Sequence, residues 1–328
     1  MRTKILFIRL SKSSFIQKEL ELLRKHFDVR VVDSVLSRKN LKGTFGTLFK
    51  MVVGTLWADV TFSWFAGYDA FWVVRLSKIF KKKSIVVVGG YEVAKVPEMG
   101  YGAMLNPSFT RIVKYVLDNA DKVLAVSEFN KKEILKYTNS KNVELVYNGV
   151  DSDKLKARDK VEDLVITVGN TTKNTCKLKG IDTFVKASLA FPELKFVVIG
   201  NYDVDIHNRL KQIAPNVEFT GALPHEEVLS WLKKAKIYCQ LSYRESFGMA
   251  LAEAMSCGCI PVVTNNAALP EVVGDTGFYV PYGDPEKTAE VIKEALNSDK
   301  GKEARERIRN MFLIEKRERE LLKIVYGK

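Results

Sequence analysis

The chain of 328 residues carries 52 Lys and Arg against 39 Asp and Glu, a formal charge of +13. This length exceeds what one hydrophobic core usually serves, which predicts two domains, and no apolar run reaches the roughly 18 to 20 residues that would span a membrane as a helix. The charge is lopsided: residues 1–150 hold 25 basic and 13 acidic residues, a surplus of +12, whereas residues 151–328 hold 27 and 26, a surplus of +1. Such a field gathers anionic partners. A nucleic-acid binder is the reading this charge invites, but no recognisable binding motif accompanies it; an anionic membrane surface explains the asymmetry equally, and no nucleic-acid partner is expected.

The chain opens on an apolar run, Lys4 to Leu10, that reads as a strand in place of a secretory signal. A cytoplasmic protein is therefore expected, peripheral at the inner face of the membrane if its basic half binds there. Further strands are predicted at Asp28 to Val32, Asp59 to Ser63, Ser84 to Val88, Lys122 to Val126 and Val143 to Val146. A second series follows at Leu164 to Val168, Leu194 to Ile199, Val217 to Thr220, Ile237 to Leu241, Ile260 to Thr264 and Gly277 to Val280. Strands alternating with helical patterns indicate an α/β chain with doubly wound parallel sheets. Asp151 to Asp163 is polar and charge-rich, the natural linker, and residues 302–328 read as two short charged helices with an apolar stripe through Ile308, Phe312, Leu321, Leu322 and Val325. Cys257 and Cys259 flank Gly258 without a second Cys/His pair at metal-site spacing, so they read as packing residues, and free thiols fit a reducing compartment. His26, His207 and His225 have no metal-like spacing either, so no metal site is expected.

The most informative stretch is Arg244-Glu245-Ser246-Phe247-Gly248-Met249-Ala250-Leu251-Ala252-Glu253. A short apolar strand ends just before it and an apolar helix follows, with Ser246 placed to cap that helix. The free N–H groups at a helix start and the positive end of its dipole favour an anion such as a diphosphate beside Ser246, Phe247, Gly248, Met249 and Ala250. Eight helical residues rise about 12 Å, so Glu245 and Glu253 would grip opposite ends of an extended ligand, a length that suits a nucleoside diphosphate sugar. The spacing alone equally fits an ordinary strand-turn-helix with two solvated glutamates.

The residues that follow change that balance. Gly258-Cys259-Ile260-Pro261-Val262-Val263 closes the helix and turns into a strand, and Leu269-Pro270-Glu271-Val272-Val273-Gly274 comes next. With Phe219-Thr220-Gly221-Ala222-Leu223-Pro224 upstream and Tyr147-Asn148-Gly149-Val150-Asp151 before the linker, this half resembles the retaining glycosyltransferases of family 4. The resemblance implies the GT-B fold, two Rossmann-like domains facing a cleft: an acceptor domain over residues 1–155, a nucleotide-sugar donor domain over 156–312, and a last helix, about 313–328, returning to the first domain. It also implies transfer of a hexose-type sugar to a hydroxyl acceptor, a sugar or lipid-linked group, without cofactor or obligatory metal. A nucleotide-sugar epimerase or a sugar phosphorylase of the same fold is the nearest rival.

By the same resemblance Glu245 lies beside the donor sugar as the catalytic carboxylate and Glu253 accepts from ribose hydroxyls. The loop Gly169-Asn170-Thr171-Thr172-Lys173-Asn174-Thr175-Cys176-Lys177-Leu178-Lys179-Gly180 suits a diphosphate. Lys179 matches the family lysine there, while Asn170 stands where an arginine is usual, leaving Lys173 or Lys177 as substitutes. Ala222 and Leu223 would hold the base through backbone groups, and Asn148 and Gly149 are turn formers or ligand contacts. The first half departs further. Arg9-Leu-Ser-Lys-Ser-Ser14 replaces a glycine-rich loop, and Gly89-Gly90-Tyr91-Glu92 stands where relatives carry a His-Asp pair. Glu92 is thus the candidate to orient or deprotonate the acceptor hydroxyl, or else a turn glutamate. The stretch from Arg38 to Trp57 mixes basic and large apolar residues, fitting either a membrane interface or a buried helix with a basic outer face.

Overall fold

The computed structural model describes residues 2–36, 41–155 and 160–327. Arg38 and Lys39, and residues 156–159 of the expected linker, lie outside the described residues. Every expected strand forms, with ends displaced by a few residues. The chain divides into two compact units, residues 1–147 with 317–328, and residues 148–316.

The first unit runs β1 (Lys4–Arg9), α1 (Ser14–His26), β2 (Asp28–Asp33), α2 (Leu41–Trp57), β3 (Val60–Trp64), α3 (Tyr68–Ile79), β4 (Lys83–Val88), α4 (Pro107–Asn119), β5 (Lys122–Ala125), α5 (Glu128–Leu135) and β6 (Val143–Leu145). Among the described residues its six strands pair in parallel in the order β2-β1-β3-β4-β5-β6. All five residues of β3 and all but the first of β4 are buried, as expected of a parallel sheet covered by helices on both faces. Met51 of α2 and Val73 of α3 pack on Leu6, Ile8 and Val32. Ala70 and Val74 of α3 join Val113, Val116 and Leu117 of α4 over Val86, Val88 and Val123. The contact of α2 with the sheet is close: a Cβ at Gly54 would lie 2.6 Å from a Leu6 methyl. Gly54 therefore serves the packing of α2 despite its cost in helix propensity.

The second unit runs β7 (Val161–Val168), α6 (Ile181–Ala187), β8 (Lys195–Ile199), α7 (Val204–Ile213), β9 (Glu218–Phe219), α8 (His225–Lys234), β10 (Ala235–Gln240), α9 (Met249–Ser256), β11 (Ile260–Thr264), α10 (Leu269–Val273), β12 (Phe278–Val280), α11 (Pro285–Leu296) and α12 (Gly301–Met311). Its six strands are again parallel, in the order β12-β11-β10-β7-β8-β9. Read from the other edge this is the 3-2-1-4-5-6 order of a dinucleotide-binding sheet, whereas the first sheet has the flavodoxin-like start 2-1-3. The core joins Val165, Phe196, Val198, Ile237 and Val262 to Phe184, Leu210, Val291 and Ile292 of the covering helices.

The division falls at Tyr147/Asn148, before the expected 155/156 boundary. The reason is local pairing: the Val150 N–H donates to the Phe312 carbonyl (2.8 Å) and the Ile314 N–H to the Val150 carbonyl (3.1 Å), which ties the segment to the second unit. The last helix, α13 (Ile314–Tyr326), groups with the first unit from Arg317 onward. Arg317 fixes it there. Its side chain is 3% exposed and ion-paired with Glu19 of α1, 1% exposed; one guanidinium nitrogen donates to Glu19 Oε1 at 2.8 Å and another to the Val146 and Tyr147 carbonyls, each at 2.9 Å. Removing one partner from a buried pair strands the other charge. Arg317→Ala is expected to destabilise the first unit by about 3 to 5 kcal/mol, read as a lower midpoint in chemical denaturation followed by tryptophan fluorescence.

Candidate functional site

Strand order reverses in the second unit at β7, which has β8 on one side and β10 on the other. In open parallel sheets ligands bind outside the carboxyl ends of the strands at such a point. Two loops leave there, residues 169–180 after β7 and residues 241–248 after β10. The Tyr243 N–H donates to the Leu178 carbonyl at 2.8 Å, and the Tyr282 hydroxyl to the Lys177 carbonyl at 2.8 Å. Gly180 has φ +65°, and a Cβ on it would lie 2.1 Å from the Leu241 carbonyl oxygen. These contacts draw the loops together until Lys179 Nζ stands 2.5 Å from Glu245 Oε1. Two of the charged residues that the resemblance singled out, 66 positions apart, thus form one ion pair, with side chains 28% and 13% exposed.

The carboxylate is positioned from β10. Glu245 Oε1 also accepts from Gln240 Nε2 at 3.0 Å and from Ser242 Oγ at 2.9 Å. Tyr238, fully buried, donates its hydroxyl to Gln240 Oε1 at 2.8 Å, which leaves the amide nitrogen of Gln240 directed at Glu245. Burial, with the Glu245 charge next in importance, pushes the Tyr238 phenol well above its ordinary range and keeps it a proton donor. Sequence reasoning passed over Tyr238, Gln240 and Ser242. Their signal was available: Tyr238 and Gln240 are polar residues on one face of β10, and Ser242 follows just beyond its end at the same two-residue spacing.

After the turn, the helix begins later than expected. Helix α9 starts at Met249 with Gly248 (φ +95°) at its N-cap position, two residues later than the Ser246 cap expected. The turn needs a left-handed residue there, and a glycine supplies it without a side chain that caps. Glu245 is therefore in the turn and Glu253 only one helical turn along α9, which replaces the expected eight helical residues between them. Phe247 is buried against Phe312, ring centroids 5.4 Å apart, while Met249 and Ala250 at the helix start are half-buried. The predicted helix end at Gly258 is confirmed: φ is +77° and the Cys259 N–H bonds to the Ala254 carbonyl at 3.0 Å, the bond of a left-handed glycine cap. Glu253, 5% exposed, is paired through Oε1 with His225 Nε2 at 2.9 Å. Sequence reasoning missed this partner, the first residue of α8, because histidine spacing bears on metal binding and says nothing of a carboxylate 28 positions away.

The remaining expected donor residues surround this pair unevenly. Gly169 is pinned by its N–H to the Ile199 carbonyl at 2.9 Å. Asn170, at the position of the usual arginine, accepts the Asn201 N–H at 3.2 Å and so ties two loops rather than supplying charge. Lys173 and Lys177 are exposed. Ala222 is exposed and Leu223 half-buried, just after Gly221 (φ +74°), whose carbonyl accepts the Gly200 N–H at 3.0 Å. Gly149 is a close-packing residue, since a Cβ there would lie 2.6 Å from the Ile314 Cα. Among the described residues no group of three or more His, Cys, Asp or Glu could hold a metal ion. Cys257 and Cys259 are buried, and burial pushes the Cys257 thiol up to about 12.

In the first unit Glu92 does not have the geometry expected of it. It is 3% exposed, and its carboxylate accepts the N–H groups of Ala66 (3.2 Å), Gly89 (2.8 Å) and Gly90 (2.9 Å). It therefore ties the loop after β3 to the loop after β4, with both oxygens engaged by backbone N–H groups. Gly89 completes the arrangement, because a Cβ there would lie 2.4 Å from the Phe65 ring.

Two family descriptions match this chain: residues 22–154 match Glycosyltransferase Family 4 and residues 151–311 match Glycosyl transferases group 1. The chain belongs to glycosyltransferase family 4. Its fold is GT-B: sucrose-phosphate synthase from Thermosynechococcus elongatus superimposes with a TM-score of 0.82 at 18% identity, covering 99% of both chains. The HepE protein of Anabaena, solved with UDP and glucose, superimposes at 0.80 with 16% identity over 99% of this chain and 100% of that one. Among curated relatives, a phosphatidylinositol N-acetylglucosaminyltransferase subunit of Arabidopsis thaliana is 27% identical over 60% of this chain and 46% of its own length. The N-acetyl-alpha-D-glucosaminyl L-malate synthase of Bacillus anthracis is 26% identical over 64% of this chain and 61% of its own. The chain spans about half the length of the curated relatives it matches.

Within this family 4 chain, the geometry of Glu92 makes a stability prediction. Glu92→Ala leaves three backbone N–H groups without their acceptor, those of Ala66 and Gly90 buried, and is expected to cost roughly 3 kcal/mol or more. Burial raises the Glu92 pKa, so the folded state holds the proton more tightly than the unfolded one. Its contribution is then full below the ordinary glutamate value and is lost as pH rises through the folded value. Wild type should accordingly lose stability relative to Glu92→Gln as pH increases, which denaturation at several pH values measures. An Ala variant of unchanged stability would return Glu92 to the acceptor role.

Proposed function

We propose that this protein transfers a hexose-type sugar, with retention, from a nucleoside diphosphate sugar to a hydroxyl acceptor on a sugar or a lipid-linked group. The observation that carries this reading is the Lys179–Glu245 pair at the switch point of the second sheet, together with the Glu253–His225 pair one helical turn along α9. Lys179 and the first N–H groups of α9 supply positive charge for a diphosphate. Glu245, held by Gln240 and Ser242, faces the sugar, where a fixed carboxylate offsets the positive charge developing at the anomeric carbon. Glu253 offers acceptor oxygens to ribose hydroxyls, with Ala222 and Leu223 beside the base. Catalysis then consists of positioning and electrostatic stabilisation of an oxocarbenium-like transition state and the departing diphosphate. With lysine and helix dipole meeting the diphosphate charge, an obligatory metal is not needed. The printed names of two relatives, which specify N-acetylglucosaminyl groups, support including UDP-N-acetylglucosamine beside UDP-, GDP- and ADP-hexoses as test donors.

A cognate donor should raise the melting temperature in a thermal-shift panel, because a ligand bound only to the folded state stabilises it by mass action. Glu245→Gln is expected to abolish most transfer while nucleoside diphosphate binding stays level or tightens, because Lys179 loses its carboxylate partner and is freed for the phosphates. Glu253→Gln should weaken nucleotide binding by about 1.5 to 3 kcal/mol, roughly ten- to a hundredfold. Lys179→Ala should weaken free nucleoside diphosphate and donor alike, and turnover should survive EDTA. Near-wild-type turnover in both glutamate variants, or strict dependence on added Mg²⁺ or Mn²⁺, would overturn this assignment. Retention is read from the anomeric configuration of the product by NMR.

A further inference from the structure

Helix α2 presents the sequence feature that the reaction leaves unused. Its inner face, Thr47, Met51, Gly54 and Thr55, is buried. Its outer face is a row of apolar side chains at helical spacing: Leu41 is 63% exposed, Phe45 71%, Phe49 69%, Val53 45% and Leu56 53%. The outer face is therefore apolar as well as basic, since the row runs beside the exposed Lys42 and Lys50. Trp57 does not belong to this row. It is half-buried beneath Arg30, whose guanidinium lies 4.0 Å from the ring centroid, and so serves the fold. Large apolar residues exposed singly need no explanation, but five in line along seventeen residues, about 25 Å of helix, form a contiguous patch.

The chemistry around the row indicates its occupant. Helix α2 contains Lys42 and Lys50, both exposed, and no acidic residue. Helix α3, which packs beside α2, adds exposed Trp72, Ile79, Arg75 and Lys78, and its one acid, Asp69, is buried and accepts from Ser34. A row one helix wide and flanked by lysines matches a helix lying in a lipid interface with its cations at the headgroups. The surplus of +12 on residues 1–150 supplies the longer-range attraction. No helix among the described residues is long and apolar enough to cross a membrane, so the contact is one of lying on the surface.

We propose that the outer face of α2, with Phe45 and Phe49 inserted among the acyl chains and Lys42 and Lys50 at the headgroups, docks the protein on an anionic phospholipid bilayer. The proposal does not depend on the reaction assigned above, since docking requires neither donor nor acceptor.

Sedimentation with vesicles tests it in the absence of substrates. The full chain should pellet with phosphatidylglycerol vesicles at low ionic strength and not with phosphatidylcholine vesicles. Lys42→Ser with Lys50→Ser should lower partitioning on the order of thirtyfold, at about 1 kcal/mol per cation, and the attraction should fade over a Debye length of roughly 8 Å in physiological salt. Phe45→Ser with Phe49→Ser should lower it at least about tenfold with no change in melting temperature, because both side chains are already exposed. As a reading that does not rely on that variant, Phe49→Trp should add fluorescence quenched by lipids brominated along their acyl chains. Absence of binding to phosphatidylglycerol vesicles, binding indifferent to the Phe45 and Phe49 changes, or a Trp at position 49 insensitive to brominated lipid would overturn the proposal. So would concentration-dependent self-association abolished by the same double change, which would make a second copy of the chain the occupant.

Discussion

A parallel strand pair cannot be closed by a tight turn; each strand must be followed by a crossover that returns the chain to the same starting edge. Everything distinctive about the second unit depends on that constraint. It sends every loop that follows a strand to one edge of the sheet, and the reversal of order at β7 places the loops after β7 and β10 side by side. Residues 179 and 245 are distant in sequence, yet the backbone bond from Tyr243 to Leu178 and the bare Cα of Gly180 bring their side chains into hydrogen-bond range. The ion pair is a product of topology first and of side-chain chemistry second.

Its chemistry is nonetheless unusual in distribution. Three donors, from Lys179, Gln240 and Ser242, converge on one oxygen of Glu245. The amide of Gln240 is itself oriented by a buried tyrosine hydroxyl. A network whose members are satisfied in a poorly hydrated environment is rigid, because moving one group strands the others. A carboxylate fixed in this way needs little reorganisation when charge develops nearby, which is the property that electrostatic stabilisation requires. The lysine is held less exclusively. A diphosphate bound as proposed would compete with Glu245 for the same ammonium group, which would couple anion binding to the electrostatics of the carboxylate through one side chain.

The first unit uses buried charge differently. Glu92 spends its carboxylate on three backbone N–H groups, and Glu19 and Arg317 neutralise one another where the last helix meets α1 and the end of β6. These are groups that hold loops and termini in place, and burial is what makes them costly to disturb. The surface of the same unit carries the opposite feature, an apolar row on α2 that the sheet does not cover. A helix of this kind has two faces competing for one sheet, and small residues such as Gly54, which allow close approach, select which face turns inward.

The sequence by itself determined the strands and their alternation with helices, the parallel two-sheet class and the helix end at Gly258, and it drew attention to Glu245, Glu253 and Lys179. These are legible because they rest on local periodicity, on glycine's freedom at positive φ, or on a contiguous motif that carries a family resemblance. Tertiary structure alone decided the rest. Gln240, Ser242 and His225 became partners of the two glutamates because the strand face and the start of α8 point at them, a relation between segments that no local pattern encodes. Glu92 resembled an acceptor-side carboxylate in its loop, but whether a carboxylate faces solvent or three N–H groups depends on where the neighbouring strand's loop lies. The start of α9 moved from Ser246 to Gly248 for a similar reason: the backbone path out of β10, and not capping propensity, set where helical geometry begins. In α2, composition announced basic and large apolar residues, and only the packing against β1 and α3 decided which of them would be left outside.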